Sequence, residues 1–462
     1  MELVLDLHLH SRFSRAVSPR MNLSNMYLWG RKKGINILSV ADFTHPVWFH
    51  EAKAQLEEFQ PGIYKLKDAS RLDSELGQLG TKSHIGPYFI LSTEVSAIYS
   101  ENGVGHRIHN LILSPNFETA EKINSALMNR GINLSSDGRP ILGLTSKNLA
   151  QILFEIHPKI VIIPCHVWTP WFSLYGSRSG YDSIRDCFGE YAPRIFAVET
   201  GLSSDPSMNW RIKELDTRSI VSFSDAHSLE KMGREATVFK TVNGERITDN
   251  QITYDNIMNG LVRGREKIFE LAYTIEYYPE EGKYHYTGHR NCGVSYSPSD
   301  TPKGDICPVC HRPLTVGVMK RVEDLAHASS DNFTYQKDKN GVMWVKDSHN
   351  ERPPSVSLVP LLEILGEVYH SAPNSQKVLA VFDQLVQKFG SEHEILLRTP
   401  LDDLRVHAGI DTVSAIEKVR LRDITIIPGF DGEYGKVTIE KVQSSESKSQ
   451  NKKEEQMGLE LK

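Results

Sequence analysis

The stretch Leu3-Val4-Leu5-Asp6-Leu7-His8-Leu9-His10-Ser11 decides the fold of this chain. Its apolar start predicts a buried β-strand, on which residues two apart point to the same side, so that Asp6, His8 and His10 share one face. A second apolar run, Ile220–Phe223, leads into Ser224-Asp225-Ala226-His227. Imidazole and carboxylate groups gathered at strand ends are ligands for a divalent metal. Taken alone, the first stretch would also suit an ordinary half-buried strand.

Length and composition are those of a soluble globular protein. The chain has 462 residues, of which 39% are hydrophobic and 24% charged, and this length suggests roughly two to four domains. No apolar run approaches the ~20 residues of a membrane span, and the N-terminus lacks a secretion signal. We therefore expect a cytoplasmic protein without membrane contact. The net charge of −5 does not indicate a nucleic-acid binder, but it leaves room for a local basic surface.

Apolar runs alternate with polar or helix-like stretches up to about residue 275. The predicted strands are Leu3–Leu7, Ile35–Val40, Tyr88–Leu91, Ile108–Leu113, Ile160–Ile163, Ile195–Val198 and Ile220–Phe223. Several are separated by segments long enough for a crossover helix, such as Asn22–Gly34 and Thr145–Ile156. Repeated βα units of this kind predict an α/β fold with a mostly parallel sheet or a barrel.

Potential metal ligands recur at or just after every predicted strand. They are His8, His10, Asp42, Glu94, His109, His166, Glu199, Asp225 and His227. In βα barrels the catalytic groups come from the C-terminal ends of several strands, so we expect these side chains to form one cluster. The mixed set suits Zn²⁺, Mn²⁺ or Fe²⁺ better than an all-oxygen cage, with Mg²⁺ kept as an alternative. Two or three ions, with Glu94 as a bridge, would fit the hydrolysis of a phosphoester.

These residues resemble the PHP (polymerase and histidinol phosphatase) superfamily of metal-dependent phosphoesterases. The resemblance rests on the DLHLHS start, Asp42, Glu94, His109, His166, Glu199 and the SDAH segment. It implies a distorted βα barrel with a site for two or three metal ions. The stretch Asp42-Phe43-Thr44-His45 departs from the Asp-His-Asp-like triplet of many PHP proteins. The role of His45 as a ligand therefore stays open, as does that of Asp6.

A second motif lies further along the chain. His289 and Cys292 form an H-x2-C pair, and Cys307 and Cys310 form a C-x2-C pair, each in a turn rich in Gly or Pro. This spacing predicts one structural Zn²⁺ bound by four side chains. His285 and His311 are alternatives to His289 as the fourth ligand.

The two motifs together narrow the resemblance. A PHP domain followed by the segment Thr287–Glu323, a helical region and Ile426–Gly435 resembles the endonuclease Q family. This family implies a DNA-repair endonuclease that cuts 5′ to uracil, hypoxanthine or xanthine and accepts abasic sites. Its Gly-Leu-Ser-x-Asp motif matches Gly201–Asp205, which makes Asp205 a catalytic candidate beside Glu199 and Asp225. An N-cap role is the alternative for Asp205.

Further residues fit contacts with DNA, each with a structural alternative. Arg12, Arg15 and Arg20 would hold a phosphate unless they are merely solvated. Three aromatic residues, Trp168, Trp171 and Phe172, would line a lesion pocket unless they belong to the core. Lys303, Arg312, Lys320 and Arg321 would give the zinc module a basic surface.

The expected organisation has four parts. Residues 1–275 form the PHP-type barrel, 276–325 a small zinc-binding module, 326–442 a mostly helical C-terminal region, and 443–462 a disordered tail. The tail residues Gln456–Leu461 resemble peptides that dock on the sliding clamp. Two other functions are weighed against lesion cutting. One is a PHP phosphoesterase acting on a small phosphorylated metabolite or as an exonuclease, and the other is a non-catalytic DNA- or clamp-binding protein.

Overall fold

A computed structural model describes residues 2–76, 85–263, 267–328 and 333–439. The strands are β1 Glu2–Asp6, β2 Ile37–Ser39, β3 Leu56–Gln60, β4 Ile63–Leu66, β5 Tyr88–Glu101, β6 Val104–Ser114, β7 Ile141–Leu142, β8 Val161–Pro164, β9 Ala197–Glu199, β10 Ser219–Val221, β11 Ala236–Thr241, β12 Phe269–Glu276, β13 Thr287–His289, β14 Val294–Tyr296, β15 Phe333–Lys337, β16 Met343–Asp347, β17 Ser355–Ser357, β18 Thr425–Ile427 and β19 Lys436–Thr438. The helices are α1 Leu23–Lys33, α2 Pro46–Gln55, α3 Ala69–Leu76, α4 Phe117–Met128, α5 Ser146–Ile156, α6 Ile184–Phe188, α7 Pro206–Asn209, α8 Tyr254–Gly260, α9 Val318–Leu325, α10 Leu361–Val368, α11 Gln376–Phe389, α12 Glu392–Leu397, α13 Leu401–Ala408 and α14 Ile410–Leu421.

The first half of the chain forms a distorted barrel. Its strands follow the order β1, β2, β5, β6 and β8, and the parallel pair β9 and β10 completes the ring. Two junctions of the ring, between β8 and β9 and between β10 and β1, are made by backbone hydrogen bonds just beyond the strand ends. The Val167 N–H donates to the Glu199 carbonyl (3.1 Å), and the His10 N–H donates to the Ala226 carbonyl (3.3 Å). The predicted α/β class and distorted barrel are confirmed.

The expectation of a mostly parallel sheet was wrong. Strands β5 and β6 form a long antiparallel hairpin that pairs Leu91 with Ser114 at one end and Glu101 with Val104 at the other. Asn102 and Gly103 make its turn with φ values of 50° and 80°. Turns with positive φ at both central residues match the twist of a hairpin, and Asn-Gly is their preferred sequence. This dipeptide was the overlooked signal.

The sheet also extends beyond the barrel. Strand β11 pairs antiparallel with β1, β12 pairs with β11, and β17 joins β12 in parallel. The hairpin β15–β16 completes this edge through β17. Residues 333–357 therefore contribute strands to the same sheet as the barrel, ahead of the helical segment that begins at α10.

The small zinc-binding module and the helical C-terminal region are both present. Strands β13 and β14 form the hairpin that carries His289, and α9 follows the second cysteine pair. Helices α10–α14 pack against one another and against α1 of the barrel. In this contact Trp29 of α1 stacks on Phe382 of α11. Among the described residues, no helix is both long and apolar enough to cross a membrane.

Candidate metal centre

The structure brings the predicted ligands of the first half together at one end of the barrel. Their potential ligand atoms fall into four overlapping groups within 4.8 Å. The groups are His8, His10 and Glu94; His8, Cys165 and Glu199; His10, Asp225 and His227; and Glu94, His109 and His166. Residues separated by more than two hundred positions thus share one site, because the segments that follow β1, β8 and β10 meet Glu94 and His109 within the antiparallel strands β5 and β6.

The two histidines after β1 are held through their Nδ1 atoms. His8 Nδ1 lies 2.9 Å from Glu199 Oε1, and His10 Nδ1 lies 3.2 Å from Asp42 Oδ1. A carboxylate on Nδ1 fixes the tautomer and leaves Nε2 as the lone-pair donor, which is the usual support of a metal-binding histidine. Asp42 occupies this outer position in the described geometry, and its role as a direct ligand stays a prediction.

The inward-facing atoms fit a cation. His10 Nε2 lies 3.0 Å from Asp225 Oδ1 and 3.3 Å from Glu94 Oε2. Yet His8 Nε2, His10 Nε2 and Asp225 Oδ1 are buried and have no hydrogen-bond partner among the described residues. Buried polar atoms normally find a partner, so donors that converge without one suit a bound metal ion.

Glu94 is at the centre of the cluster. Its Oε1 lies 2.6 Å from His109 Nδ1 and 3.2 Å from His166 Nε2, while its Oε2 lies 3.0 Å from an Arg139 guanidinium nitrogen. Burial works to raise the pKa of Glu94, but His109 and Arg139 outweigh it and hold the pKa well below its usual range. Glu94 is therefore an anion with both oxygens directed at different groups, as a bridging ligand requires.

Three of the predicted ligands have a strained backbone. The φ values of Asp42, His166 and Asp225 are 40°, 32° and 45°. Residues other than glycine rarely adopt the left-handed region, and the surrounding structure must hold them there. Such outliers concentrate at functional sites, so the three positions support the placement of the site by an argument independent of residue type.

Arg139 is a site residue that the sequence analysis missed. It lies on the loop before β7, next to Gly138, where an added Cβ would come within 2.4 Å of Asp42 Oδ2. The three arginines proposed from the sequence have other contacts. Arg12 pairs with Glu51, Arg15 with Asp137 and Arg20 with Glu230. No sequence pattern singled out Arg139, because only the folded loop brings it to Glu94.

The remaining candidates have mainly structural contacts. Asp6 accepts hydrogen bonds from Ser224 and Gly233. His45 and Asp205 cap α2 and α7, and Asp205 Oδ1 accepts the Met208 N–H at 2.9 Å. The catalytic role of Asp205 stays a prediction. Cys165, which was expected in the core, is buried beside His8 and Glu199.

The aromatic run after His166 is divided between core and site. Trp168 is fully buried and donates its indole N–H to Asn209 at 2.8 Å, which is a core position. Phe172 lies against His109, with ring centres 4.8 Å apart. Trp171 meets Tyr284 of the zinc module edge to face at 5.5 Å. Phe172 and Trp171 are both partly exposed, and the lesion-pocket role expected for them stays a prediction.

The zinc module forms a second, separate group of ligands. His289, Cys292, Cys307 and Cys310 lie within 4.8 Å of one another, and His289 Nδ1 is 3.3 Å from Cys310 Sγ. Three sulfur atoms and one nitrogen at this spacing suit tetrahedral Zn²⁺. Arg321, expected on a DNA-facing surface, instead donates to the Tyr175 carbonyl at 2.9 Å and pairs with Asp182. It therefore docks the module on the barrel.

Comparison with known proteins agrees with this architecture. A family model described as the MJ0043 C-terminal domain matches residues 360–423. The uncharacterized protein MJ0043 of Methanocaldococcus jannaschii is 29% identical over 276 residues, which make up 59% of this chain and only 31% of that protein. The chain thus spans less than a third of the length of that relative.

Two solved structures match over nearly the whole chain. One is the lesion-specific endonuclease PfuEndoQ from Pyrococcus furiosus, with 27% identity, 97% of this chain and 99% of that chain covered, and a TM-score of 0.75. The other is Endonuclease Q in complex with a 27-mer duplex carrying an abasic lesion, with 28% identity, coverage of 96% and 97%, and a TM-score of 0.75. The predicted resemblance to the endonuclease Q family is confirmed.

Proposed function

From the likeness to endonuclease Q over nearly the whole chain, we propose that this protein is a DNA-repair endonuclease. It hydrolyses the phosphodiester on the 5′ side of deaminated bases (uracil, hypoxanthine and xanthine) and of abasic sites. Its partner is therefore duplex DNA that contains such a lesion. The proposed division of the chain is the one expected from its sequence, with residues 1–275 as the catalytic barrel and 276–325 as the zinc-binding module.

One observation of the structure supports the metal dependence of this reaction: the buried, unpartnered atoms His8 Nε2, His10 Nε2 and Asp225 Oδ1 converge beside Glu94. We propose that they hold a cluster of two or three divalent ions (Zn, Mn or Mg) together with His109, His166, Glu199 and His227. Asp42 is either a further ligand or the support of His10. Bound ions of this kind activate water and neutralise charge on the phosphate oxygens.

The protein groups around the cluster have separable tasks. Glu199 and Asp42 orient the imidazoles of His8 and His10 through Nδ1. Arg139 places a positive charge against Glu94, where it can also bind a non-bridging oxygen of the scissile phosphate. Phe172, beside His109, offers a ring face to an extruded lesion nucleotide.

The module and the tail supply accessory functions. His289, Cys292, Cys307 and Cys310 would bind one structural Zn²⁺, which would hold the two turns of the module together. Residues 443–462, including the proposed clamp-binding peptide Gln456–Leu461, lie outside the described residues. Deletion of Gln456–Lys462 tests that peptide: it should abolish binding to purified sliding clamp while nicking of short duplexes is retained. Association with the nucleoid follows from the proposed substrate.

A nicking assay tests the proposed function directly. The full-length protein is incubated with Mn²⁺ or Mg²⁺ and 5′-labelled duplexes that contain uracil, hypoxanthine, xanthine, an abasic site or no lesion. The expected product ends immediately 5′ to the lesion, and the undamaged duplex stays intact. Failure to cut any lesion duplex, combined with turnover of histidinol phosphate, would replace this proposal with a small-molecule phosphoesterase.

A further inference from the structure

The helical C-terminal region contacts the barrel through a buried histidine. His393 of α12 is 2% exposed, and its Nε2 lies 2.9 Å from the Gly233 carbonyl oxygen. Because a carbonyl only accepts, Nε2 carries the proton and donates. Burial lowers the pKa of His393 to about 4, so that the ring is neutral near pH 7. The hydrogen bond is therefore a fixed, neutral link between α12 and the loop that follows β10.

This loop leads directly to a proposed metal ligand. The Gly233 N–H donates to Asp6 Oδ2 at 2.9 Å. Asp6 is fully buried and also accepts the Ser224 N–H at 3.0 Å and the Ser224 hydroxyl at 2.6 Å. Ser224 is the chain neighbour of Asp225. A series of hydrogen bonds thus runs from His393 through Gly233 and Asp6 to Ser224, the residue that precedes Asp225.

Close packing leaves α12 little freedom to shift. Gly34 (φ 90°) and Gly233 (φ 67°) both meet this helix. A Cβ on Gly34 would lie 2.5 Å from Ser391 Oγ, and a Cβ on Gly233 would lie 3.0 Å from the Ile35 side chain and 3.3 Å from His393 Cε1. Both backbone positions favour glycine, and both lack room for a larger residue. The position of His393 relative to the Gly233 carbonyl is thereby set.

We propose that His393 is a positioning residue for the metal ligand Asp225, so that the helical C-terminal region sets the metal affinity of the barrel. The inference rests on the proposed function in one respect, namely that the cluster holds divalent ions. Asp225 has a strained backbone (φ 45°) that its surroundings must hold. Groups that support a ligand through hydrogen bonds change metal affinity when they are removed.

A purely structural role for His393 makes a different prediction. In that case its removal lowers the stability of the interface and leaves metal affinity unchanged. A matched control lies in the same interface, where Lys33 Nζ and Glu392 Oε2 form a buried ion pair at 2.7 Å. The double variant Lys33→Met, Glu392→Leu removes this pair without touching Gly233. Replacement of a buried ion pair by apolar residues is often neutral for stability.

The experiment measures Mn²⁺ binding to full-length protein from which weakly held ions have been removed by chelation, with retained zinc quantified. Mn²⁺ prefers nitrogen and oxygen ligands, so the titration reports the barrel cluster rather than the thiolate module. We expect His393→Leu to weaken Mn²⁺ binding about threefold to tenfold, below the ~10–100-fold typical of groups that touch a ligand directly. His393→Gln keeps an N–H donor and should stay within about twofold of the wild type, as should the Lys33/Glu392 variant.

The outcomes separate the two roles. Weaker Mn²⁺ binding in His393→Leu alone supports positioning, and Asp6→Asn, at the other end of the hydrogen-bond series, should reproduce it if His393→Leu does not fold. Wild-type affinity in His393→Leu, or an equal loss in the Lys33/Glu392 variant, would overturn the proposal. The titration contains no DNA. A wild-type protein that binds Mn²⁺ but cuts no lesion duplex would therefore contradict the proposed substrate, while the comparison of Mn²⁺ affinities among the variants would remain valid.

Discussion

The two metal-binding regions of this chain are assembled in different ways. The barrel cluster draws its groups from several strands, and from the segments that follow them, between His8 and His227, whereas the zinc module takes all four ligands from two turns between His289 and Cys310. In the barrel, the carboxylates of Asp42 and Glu199 hold the imidazoles of His10 and His8 in place through hydrogen bonds that need no metal ion. In the module, the four ligands mainly contact one another, as His289 Nδ1 does with Cys310 Sγ at 3.3 Å.

This difference separates the effects of metal loss. The barrel has a buried core of its own, formed by residues between Leu3 and Phe269, and should keep its fold without the cluster ions. Small zinc modules obtain much of their folding free energy from the ion itself. Loss of the barrel ions should therefore remove activity with little effect on structure, whereas loss of zinc should unfold a local region and leave the cluster in place.

The strongest test of this contrast is Asp225→Asn. The substitution removes a charge that lies 3.0 Å from His10 Nε2. We expect the single-turnover nicking rate to fall by roughly 10³-fold, because bound ions supply several kcal/mol of transition-state stabilisation. The circular dichroism spectrum should be unchanged. Asp255→Asn, which affects only a surface pair with Lys159, is the matched control and should cut at the wild-type rate.

Arg139→Ala tests whether a cation beside the cluster acts on the substrate. Arg139 contacts Glu94, whereas Arg15 is 81% exposed and pairs with Asp137. We expect Arg139→Ala to lower kcat for nicking by about 10²-fold, the scale for a charged group that stabilises developing negative charge. Arg15→Ala should have an effect below about twofold. Equal effects of the two substitutions would restore the phosphate clamp that the sequence suggested.

Cys307→Ala tests the zinc side of the comparison. The variant should lose one equivalent of zinc, measured by elemental analysis, because the remaining three ligands bind too weakly. Mn²⁺ affinity of the barrel should stay at the wild-type value, while affinity for lesion duplexes falls about tenfold, or 1.4 kcal/mol. Cys187→Ala, at a buried cysteine outside both ligand groups, is the control and should keep its zinc. Weaker Mn²⁺ binding in Cys307→Ala would show that the two regions are not independent.

The sequence was most informative where local periodicity determines structure. The predicted helices Asn22–Gly34 and Thr145–Ile156 match α1 and α5 closely, because Asn22 and Thr145 cap these helices by accepting an N–H and Gly34 ends the first with φ 90°. Each predicted strand of the barrel is also present, since apolar runs bounded by polar groups identify buried strands.

Long-range contacts set the limit of this approach. Strand direction at β6 depends on the Asn102-Gly103 turn, and the position of Arg139 depends on a loop that closes over Asp42. Which nitrogen of His10 faces the cluster depends on a hydrogen bond to a residue of another strand end. Residue type and spacing identified the candidate residues of the site. Only the folded chain shows which of these side chains face the cluster and which support a neighbouring ligand.

A last expected effect concerns pH, and two buried groups, one on strand β12 and one in the zinc module, should respond in opposite directions. Burial raises the pKa of Glu276, at the end of β12, to about 8, so that the folded protein retains a proton that the unfolded chain releases above its ordinary value of 4.5. Stability in this part of the sheet therefore falls as pH rises from 4.5 to 8. In the zinc module, burial lowers the pKa of His285 from 6.5 to about 4, so its contribution to stability falls as pH drops from 6.5 to 4.

Glu276→Gln isolates the contribution of this carboxyl at the end of β12. The amide is neutral at every pH and can still accept from Ser222 and Thr200, whose hydroxyls meet the Glu276 carboxyl. We expect the variant to be more stable than the wild type by about 2–4 kcal/mol at pH 8 and nearly equal to it at pH 5, because the deprotonation cost is absent. Urea unfolding at the two pH values measures the difference. Glu270→Gln, on the same strand but in a surface pair with Lys240, should show no such pH-dependent gain, and a gain of equal size there would contradict the assignment to Glu276.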